Sequence, residues 1–260
     1  MLVTTKRNHL NTIEQGTGEL TILFMHYFGG SSKEWLPVLN QLAPDYHCVA
    51  VDLRGCGDSD APPTGYSVDD LADDLAKLID EKALRRYVVV GHSMSGKIAL
   101  ALAARQPVGL QSLILVAPSP PTPEPITPED RQHLLATYGV RQAAEETFQK
   151  ITVRPLSEAV RAQVIEDNLR TSKPAWDAWL TLGSKENIAD RMDHIVVPVA
   201  IMAGEDDGAL AFKVQEQDVM PYLKNGRLTP VPQAGHLLPL EVPDELAFFI
   251  RQQIHALQLA

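Results

Sequence analysis

The chain has 260 residues, with 23 Lys and Arg against 33 Asp and Glu, a formal charge of −10 and an isoelectric point near 5.2. Phosphate backbones and anionic membrane surfaces repel such a surplus of acid, which argues against a nucleic-acid partner and a polybasic membrane anchor. Hydrophobic residues at 45% and charged ones at 22%, with a mean hydropathy of −0.09, exclude wholesale disorder and allow a sizeable core. The longest run free of strongly polar groups, Ile195–Gly204, is half of the ~20 residues a membrane helix needs, so no membrane span is expected. Met1–Leu10 carries Lys6 and Arg7 with no apolar stretch behind them, so no secretory leader is read there. Two cysteines, Cys48 and Cys56, have neither a disulfide framework nor metal-ligand spacing. The expectation is a cytoplasmic protein, monomer or homodimer.

In chain order, Leu20–Met25, Tyr46–Val51, Tyr87–Val90, Leu113–Val116 and Val197–Met202 are short, nearly all-apolar or β-branched runs. Strands without polar alternation are those buried on both faces of a parallel sheet. Between them lie helical patterns. Ser67 caps a predicted helix with Asp70 at its third position, and Val68, Leu71, Ala72, Leu75, Leu78 and Ile79 form its apolar stripe. Asp69, Asp70, Asp73 and Asp74 are read as its solvated face. Ile98–Arg105, stopped by Pro107, and Pro243–Leu257, begun by proline, are further helices. No period of 20–50 residues repeats, and the βαβ order predicts an α/β domain with a mainly parallel sheet.

One region breaks this rhythm. Six prolines between Pro118 and Pro128 stiffen the chain as it leaves the sheet. From Thr127 to about Asn187 every pattern is helical, with start signals at Thr127–Pro128, Ser157 and Lys173–Pro174. Residues 119–189 are therefore read as an insertion into a core made of 1–118 and 190–260. After Lys173–Pro174, Trp176, Trp179 and Leu180 share a helix face. They pack within the insertion or roof a site beneath it.

Tyr87–Gly96 reads YVVVGHSMSG: buried strand, sharp turn, helix. Gly91-His92-Ser93-Met94-Ser95 matches the nucleophile elbow G-x-S-x-G with serine for the last glycine. Such a turn lifts the Ser93 hydroxyl off the sheet, and small neighbours let strand and helix approach. Gly91-x4-Gly96-Lys97 is also a P-loop spacing, but Ile98 stands where a magnesium-binding Ser or Thr is needed. An elbow serine requires an acid and then a histidine later in the chain. Asp206 and Asp207 follow Val197–Met202, and His236 follows a weaker strand, Arg227–Val231. Both groups sit in loops at carboxyl ends of strands, where open α/β sheets bind ligands. His9, His47, His133, His194 and His255 are read as surface or core residues.

With these residues the chain resembles the α/β-hydrolase family, in its cap-bearing branch with serine nucleophiles. The resemblance runs from Leu20 to Leu257 through His26–Ser31, Asp52–Ser59, the elbow, Gly204-x-x-Asp207, Gly235-His236 and Glu241-x-Pro243. It implies the α/β-hydrolase fold, with Thr127–Asn187 as the cap. It also implies Ser93 as nucleophile, Asp207 as acid, His236 as base, and the amides of Phe28 and Met94 as oxyanion hole. Arg54 braces neighbouring loops in this pattern. Tyr27 departs from it, because the family usually has glycine after the His26 position; its side chain is expected to crowd or line the pocket mouth. The implied activity is hydrolysis of a carboxylic ester of a small or medium-sized substrate, with no cofactor and no metal. Lactonase, amidase, carbon–carbon bond hydrolase and perhydrolase activities use the same triad, and a non-catalytic small-molecule receptor is the alternative of another class. Dehalogenases and epoxide hydrolases need a carboxylate where Ser93 stands.

Overall fold

A computed structural model describes residues 9–258; most of Met1–Leu10, read above for a leader, lies outside them. Among the described residues seven strands form one sheet: β1 Thr12–Gln15, β2 Thr21–Met25, β3 His47–Val51, β4 Tyr87–His92, β5 Leu110–Val116, β6 Val199–Gly204 and β7 Gly226–Val231. Their order is β1-β3-β2-β4-β5-β6-β7. β1 runs antiparallel to β3 and all other pairs are parallel. β6 starts two residues later than its apolar run because Pro198 has no N–H for the ladder; its carbonyl still accepts from Leu113. Pro230 is tolerated in β7, an edge strand.

Alternate residues of the central strands feed two cores. Leu23, Val49, Val89 and Leu113 pack under the helices α2 (Val68–Glu81) and α3 (Met94–Ala103). Phe24, Ala50, Val90 and Ile114 pack with Trp35, with Leu39 of α1 (Leu36–Leu42), and with Leu246 and Ile250 of the C-terminal helix Pro243–Gln258. Both sheet faces are thus covered, which is why the strands lack polar alternation.

α2 forms where its capping signal predicts. Ser67 Oγ accepts from the Asp70 amide, and the Asp70 carboxylate accepts from the Ser67 amide, both at 3.0 Å. Its apolar stripe is buried throughout. The acidic face needs one correction: Asp74 is buried rather than solvated. The Arg54 guanidinium reaches it with two hydrogen bonds, one of them Nη2–Oδ1 at 2.5 Å, and a third goes to the Gly65 carbonyl. Arg54 thereby braces the loop after β3 against α2.

Between β5 and β6 the chain follows an irregular proline-rich path and then forms four helices: α4 Pro128–Ala136, α5 Arg141–Ile151, α6 Glu158–Arg170 and α7 Lys173–Thr181. Thr127, Ser157 and Ser172 cap α4, α6 and α7 with their hydroxyls. The proline path is pinned from below by Lys97 of α3. Its side chain is fully buried, and Nζ donates to the carbonyls of Thr122 at 2.9 Å and Glu186 at 3.0 Å. Burial lowers its pKa to about 8. This lysine is a structural tie, and its engagement removes the phosphate-binding reading of Gly91–Lys97. No helix among the described residues is long and apolar enough to cross a membrane.

Candidate active site

Ser93 is the single residue between β4 and α3, and its backbone adopts φ 54° and ψ −118°. A side chain in that region carries strain of ~1–3 kcal/mol, which the surroundings must hold in place. They do so with three backbone bonds: Ser93 N–H to Val116 carbonyl at 2.9 Å, and Ser93 carbonyl from Gly96 and Ser119 N–H at 2.8 Å each. The glycines are obligatory. A Cβ on Gly91 would sit 2.6 Å from the Ser95 carbonyl oxygen, and one on Gly96 2.4 Å from Pro118 Cβ. Ser95, the departure from the elbow pattern, is fully buried and donates its hydroxyl to the His26 carbonyl. The elbow is so tied to the loop after β2.

His236 and Asp207 meet across the ends of β6 and β7. His236 Nδ1 and Asp207 Oδ2 are 2.6 Å apart, and both residues are buried. Asp207 Oδ1 accepts from the amides of Ala209 and Leu210 at 2.7 and 2.8 Å, which fixes the carboxylate plane. Asp206 is exposed and turns away. Burial disfavours the His236 cation, yet the adjacent Asp207 carboxylate outweighs this and raises the imidazole pKa above its ordinary value. The His236 loop is anchored by Glu241. Its carboxylate accepts the amides of Gly235, Leu237, Val153 and Arg154 at 2.8 to 3.1 Å, so one side chain joins this loop to the end of α5.

Beneath the base lies His92, whose proton positions follow from its partners. His92 Nε2 is 2.9 Å from the His236 carbonyl, which can only accept, so Nε2 carries hydrogen. Burial holds the His92 pKa well below its usual value, which favours the neutral ring. With that ring neutral, Glu34 Oε1, 3.1 Å from Nδ1, is the donor of the pair. Burial likewise drives Glu34 well above the carboxylate range, and its Oε2 is left unpartnered, a small penalty for the carbonyl oxygen of a neutral acid. Glu34 thus supports His236 through His92.

Phe28, in the loop after β2, lines the same cavity as Ser93, while the Met94 amide opens α3 and has no intrahelical acceptor. Neither amide bonds to a protein acceptor among the described residues. Gly29, at φ 85°, has the Asn168 side chain 2.9 Å from where a Cβ would be. Asp167 of α6 accepts from Ser31 Oγ at 2.8 Å, so the inserted helices hold this loop. Tyr27 is buried, its ring centroid 5.3 Å from His92 and 6.4 Å from His236.

Ser93, His236, Tyr27, Phe28, Trp176 and Trp179 line one cavity of about 370 Å³ beneath the inserted helices, and Leu180 joins them. Trp176 lies on Phe28 at 4.5 Å between ring centroids and donates Nε1–H to the Leu134 carbonyl. Every site residue expected from sequence is therefore at or behind this cavity. Ser93 Oγ makes no hydrogen bond among the described residues; contacts of this kind tighten when substrate arrives. Four titratable wall residues were missed in the sequence: Glu124, Asp130, Glu146 and Lys150. His133, read as a bystander, also lines the cavity. Their irregular or helical settings carry no motif that signals a site.

A family model described as "Alpha/beta hydrolase family" matches residues 22–247. The chain belongs to this family. This α/β-hydrolase is 29% identical over 239 residues, 85% of either chain, to a Bacillus subtilis (strain 168) protein provisionally named 2-succinyl-6-hydroxy-2,4-cyclohexadiene-1-carboxylate synthase. Over 107 residues, 41% of this chain and 38% of the other, it is 37% identical to the 2-(acetamidomethylene)succinate hydrolase of Mesorhizobium japonicum. An esterase from Exiguobacterium antarcticum has the same fold, with a TM-score of 0.86 at 22% identity over 96% of both chains. With the family comes the general activity, that of a hydrolase acting on a small molecule.

Proposed function

We propose that this α/β-hydrolase cleaves a carboxylic ester through Ser93, His236 and Asp207, with residues 119–189 acting as a cap over the cleft. The observation that carries the reading is the 2.6 Å contact between His236 Nδ1 and Asp207, on a histidine that shares its cavity with the strained Ser93. Nδ1–H donates to Asp207, which leaves the Nε2 lone pair for the Ser93 proton. Ser93 Oγ bonds to the ester carbonyl carbon while that proton passes to His236, and Asp207 stabilises the resulting cation. The oxygen that becomes negative takes hydrogen bonds from the Phe28 and Met94 amides. The carbon–alkoxide bond then breaks, His236 returns the proton to the leaving oxygen, and an acyl-Ser93 remains. Water, deprotonated by His236, attacks this acyl group; the acid departs and Ser93 regains its proton.

The two relatives above are named for substrates or products bearing carboxylates. Carboxylates of this chain's own, Glu124, Asp130 and Glu146, line the cavity against one lysine, which weighs against an anionic substrate here. Sustained turnover across p-nitrophenyl esters of increasing chain length, with a lactone and a vinylogous diketone alongside, tests the reading. A maximum among the esters is expected. Faster cleavage of the diketone would move the assignment to carbon–carbon bond hydrolysis, and stoichiometric reaction without turnover would move it to a receptor.

A further inference from the structure

The ester mechanism leaves one carboxyl in the cavity without a task. Glu124 is nine-tenths buried, yet its side chain borders the same space as Ser93 and His236. Its backbone is fixed on both sides: the amide donates to Ser184 at 2.7 Å, and the carbonyl accepts from Ile126 at 2.8 Å. The main chain from which the carboxyl projects is thus held in place. It has no side-chain partner of full hydrogen-bond geometry among the described residues. The Ser119 hydroxyl lies beside it but is itself left without a partner.

Lys97, His236 and Arg131 act on Glu124 through their charge, but the hydrogen bonds of Lys97 and Arg131 go elsewhere. Lys97 gives Nζ to two carbonyls and is fully buried, outside the cavity wall. Arg131 donates to the Leu180 carbonyl and to Ser184 Oγ. Nearer the mouth, Asp130 and Glu146 face Lys150 and His133 across the same cavity, so the space carries more acid than base. Burial disfavours the ionised form and raises the Glu124 pKa, a shift that the Ser119 hydroxyl and the neighbouring cations offset only in part. A ligand that brought positive charge and N–H donors would relieve that cost; a neutral one leaves it, and an anion adds to it.

We propose that Glu124 is a substrate-binding residue and that the ester this protein takes carries an ammonium group, which Glu124 pairs within the cavity. The inference rests on the ester reading for the identity of the ligand, and its test is a binding measurement that needs no turnover. Three matched ligands are ethyl 6-aminohexanoate, its methyl-ended counterpart ethyl heptanoate, and the carboxylate-ended monoethyl pimelate. Their dissociation constants are measured calorimetrically at neutral pH on the Ser93→Ala protein. The ammonium ester is expected to bind at least about tenfold more tightly than ethyl heptanoate, with monoethyl pimelate weakest. Adding Glu124→Gln, which keeps size and shape, should bring the first two within about threefold of each other. Equal affinities, tightest binding of the pimelate, or an ammonium preference that survives Glu124→Gln would each overturn the proposal. If Glu124→Gln does not fold, the ranking of the three ligands on Ser93→Ala alone decides. Should wild-type protein turn over no ester while the ammonium preference holds, the ester reading fails and the cation site stands.

Discussion

Asp206 and Asp207 are neighbours in sequence with opposite fates, one exposed and one bonded to His236. Asp207→Asn should lower kcat by about 10⁴ by favouring the wrong His236 tautomer, while Asp206→Asn should change it little; steady-state kinetics on both variants checks this. Because Asp207 raises the His236 pKa and the base works only when neutral, kcat/KM should rise with pH through a midpoint above about 6.5. A flat profile from pH 5 to 8 in folded protein would rule out a histidine base. Glu34 offers a sharper test of protonation. Gln at this position also donates to His92 Nδ1, so Glu34→Gln should keep kcat within about threefold, whereas Glu34→Leu leaves Nδ1 unpaired at a cost of ~1–3 kcal/mol in stability. A raised native pKa means that the unfolded chain loses its proton first, so wild-type stability falls as pH rises from about 4.3 toward the native value. Glu34→Gln should lack that slope in denaturation midpoints taken across pH. Ser93, Asp207 and His236 were legible because each sits in a short local pattern. Glu34 was not, since its partner His92 lies 58 residues away in sequence, and Glu124 was not, since it meets Ser93 and His236 only in the folded cavity.

Among elements, the legible ones were those whose burial leaves a pattern: the two-faced strands and the α2 stripe. β1 was missed because its four residues, Thr12–Gln15, are half exposed on an edge with no apolar run. α1 was missed because Pro37 sits in its first turn, where proline is tolerated but reads as a break. On α7, Trp176 and Trp179 answer to both readings made of them, being buried and also part of the cavity wall. Trp176→Ala should therefore lower the melting temperature and, by enlarging the cavity beside Phe28, shift the optimum of p-nitrophenyl esters to longer chains. A lower melting temperature with an unchanged profile would make this residue a packing element alone. Tyr27 makes a related case in the loop after β2. It borders both the main cavity and a second one of about 220 Å³ beside Glu34 and Asp167. Tyr27→Gly, the family's usual residue, should join the two and admit bulkier acyl groups, read as a gain in relative kcat/KM on branched esters.

At the scale of the molecule, sheet order, inserted helices and elbow support one another. The elbow strain at Ser93 is held by β5 and by the start of the proline path, and the segment between β5 and β6 is tied to the loops on either side, by Asp167 to Ser31 and by the Val153 and Arg154 amides to Glu241. The fold class could be read from alternating strand and helix patterns, and the helical stretch between β5 and β6 from its start signals after the prolines. The cavity's charge could not, because its acidic groups come from separate helices and a loop that only the folded chain brings together. The most direct test of the whole arrangement is kcat/KM of Ser93→Ala on the best p-nitrophenyl ester, with its melting temperature alongside that of the wild type. The expected result is unchanged folding with activity reduced by as much as ~10⁶. A folded Ser93→Ala protein that kept more than about a thousandth of wild-type activity would contradict the covalent mechanism.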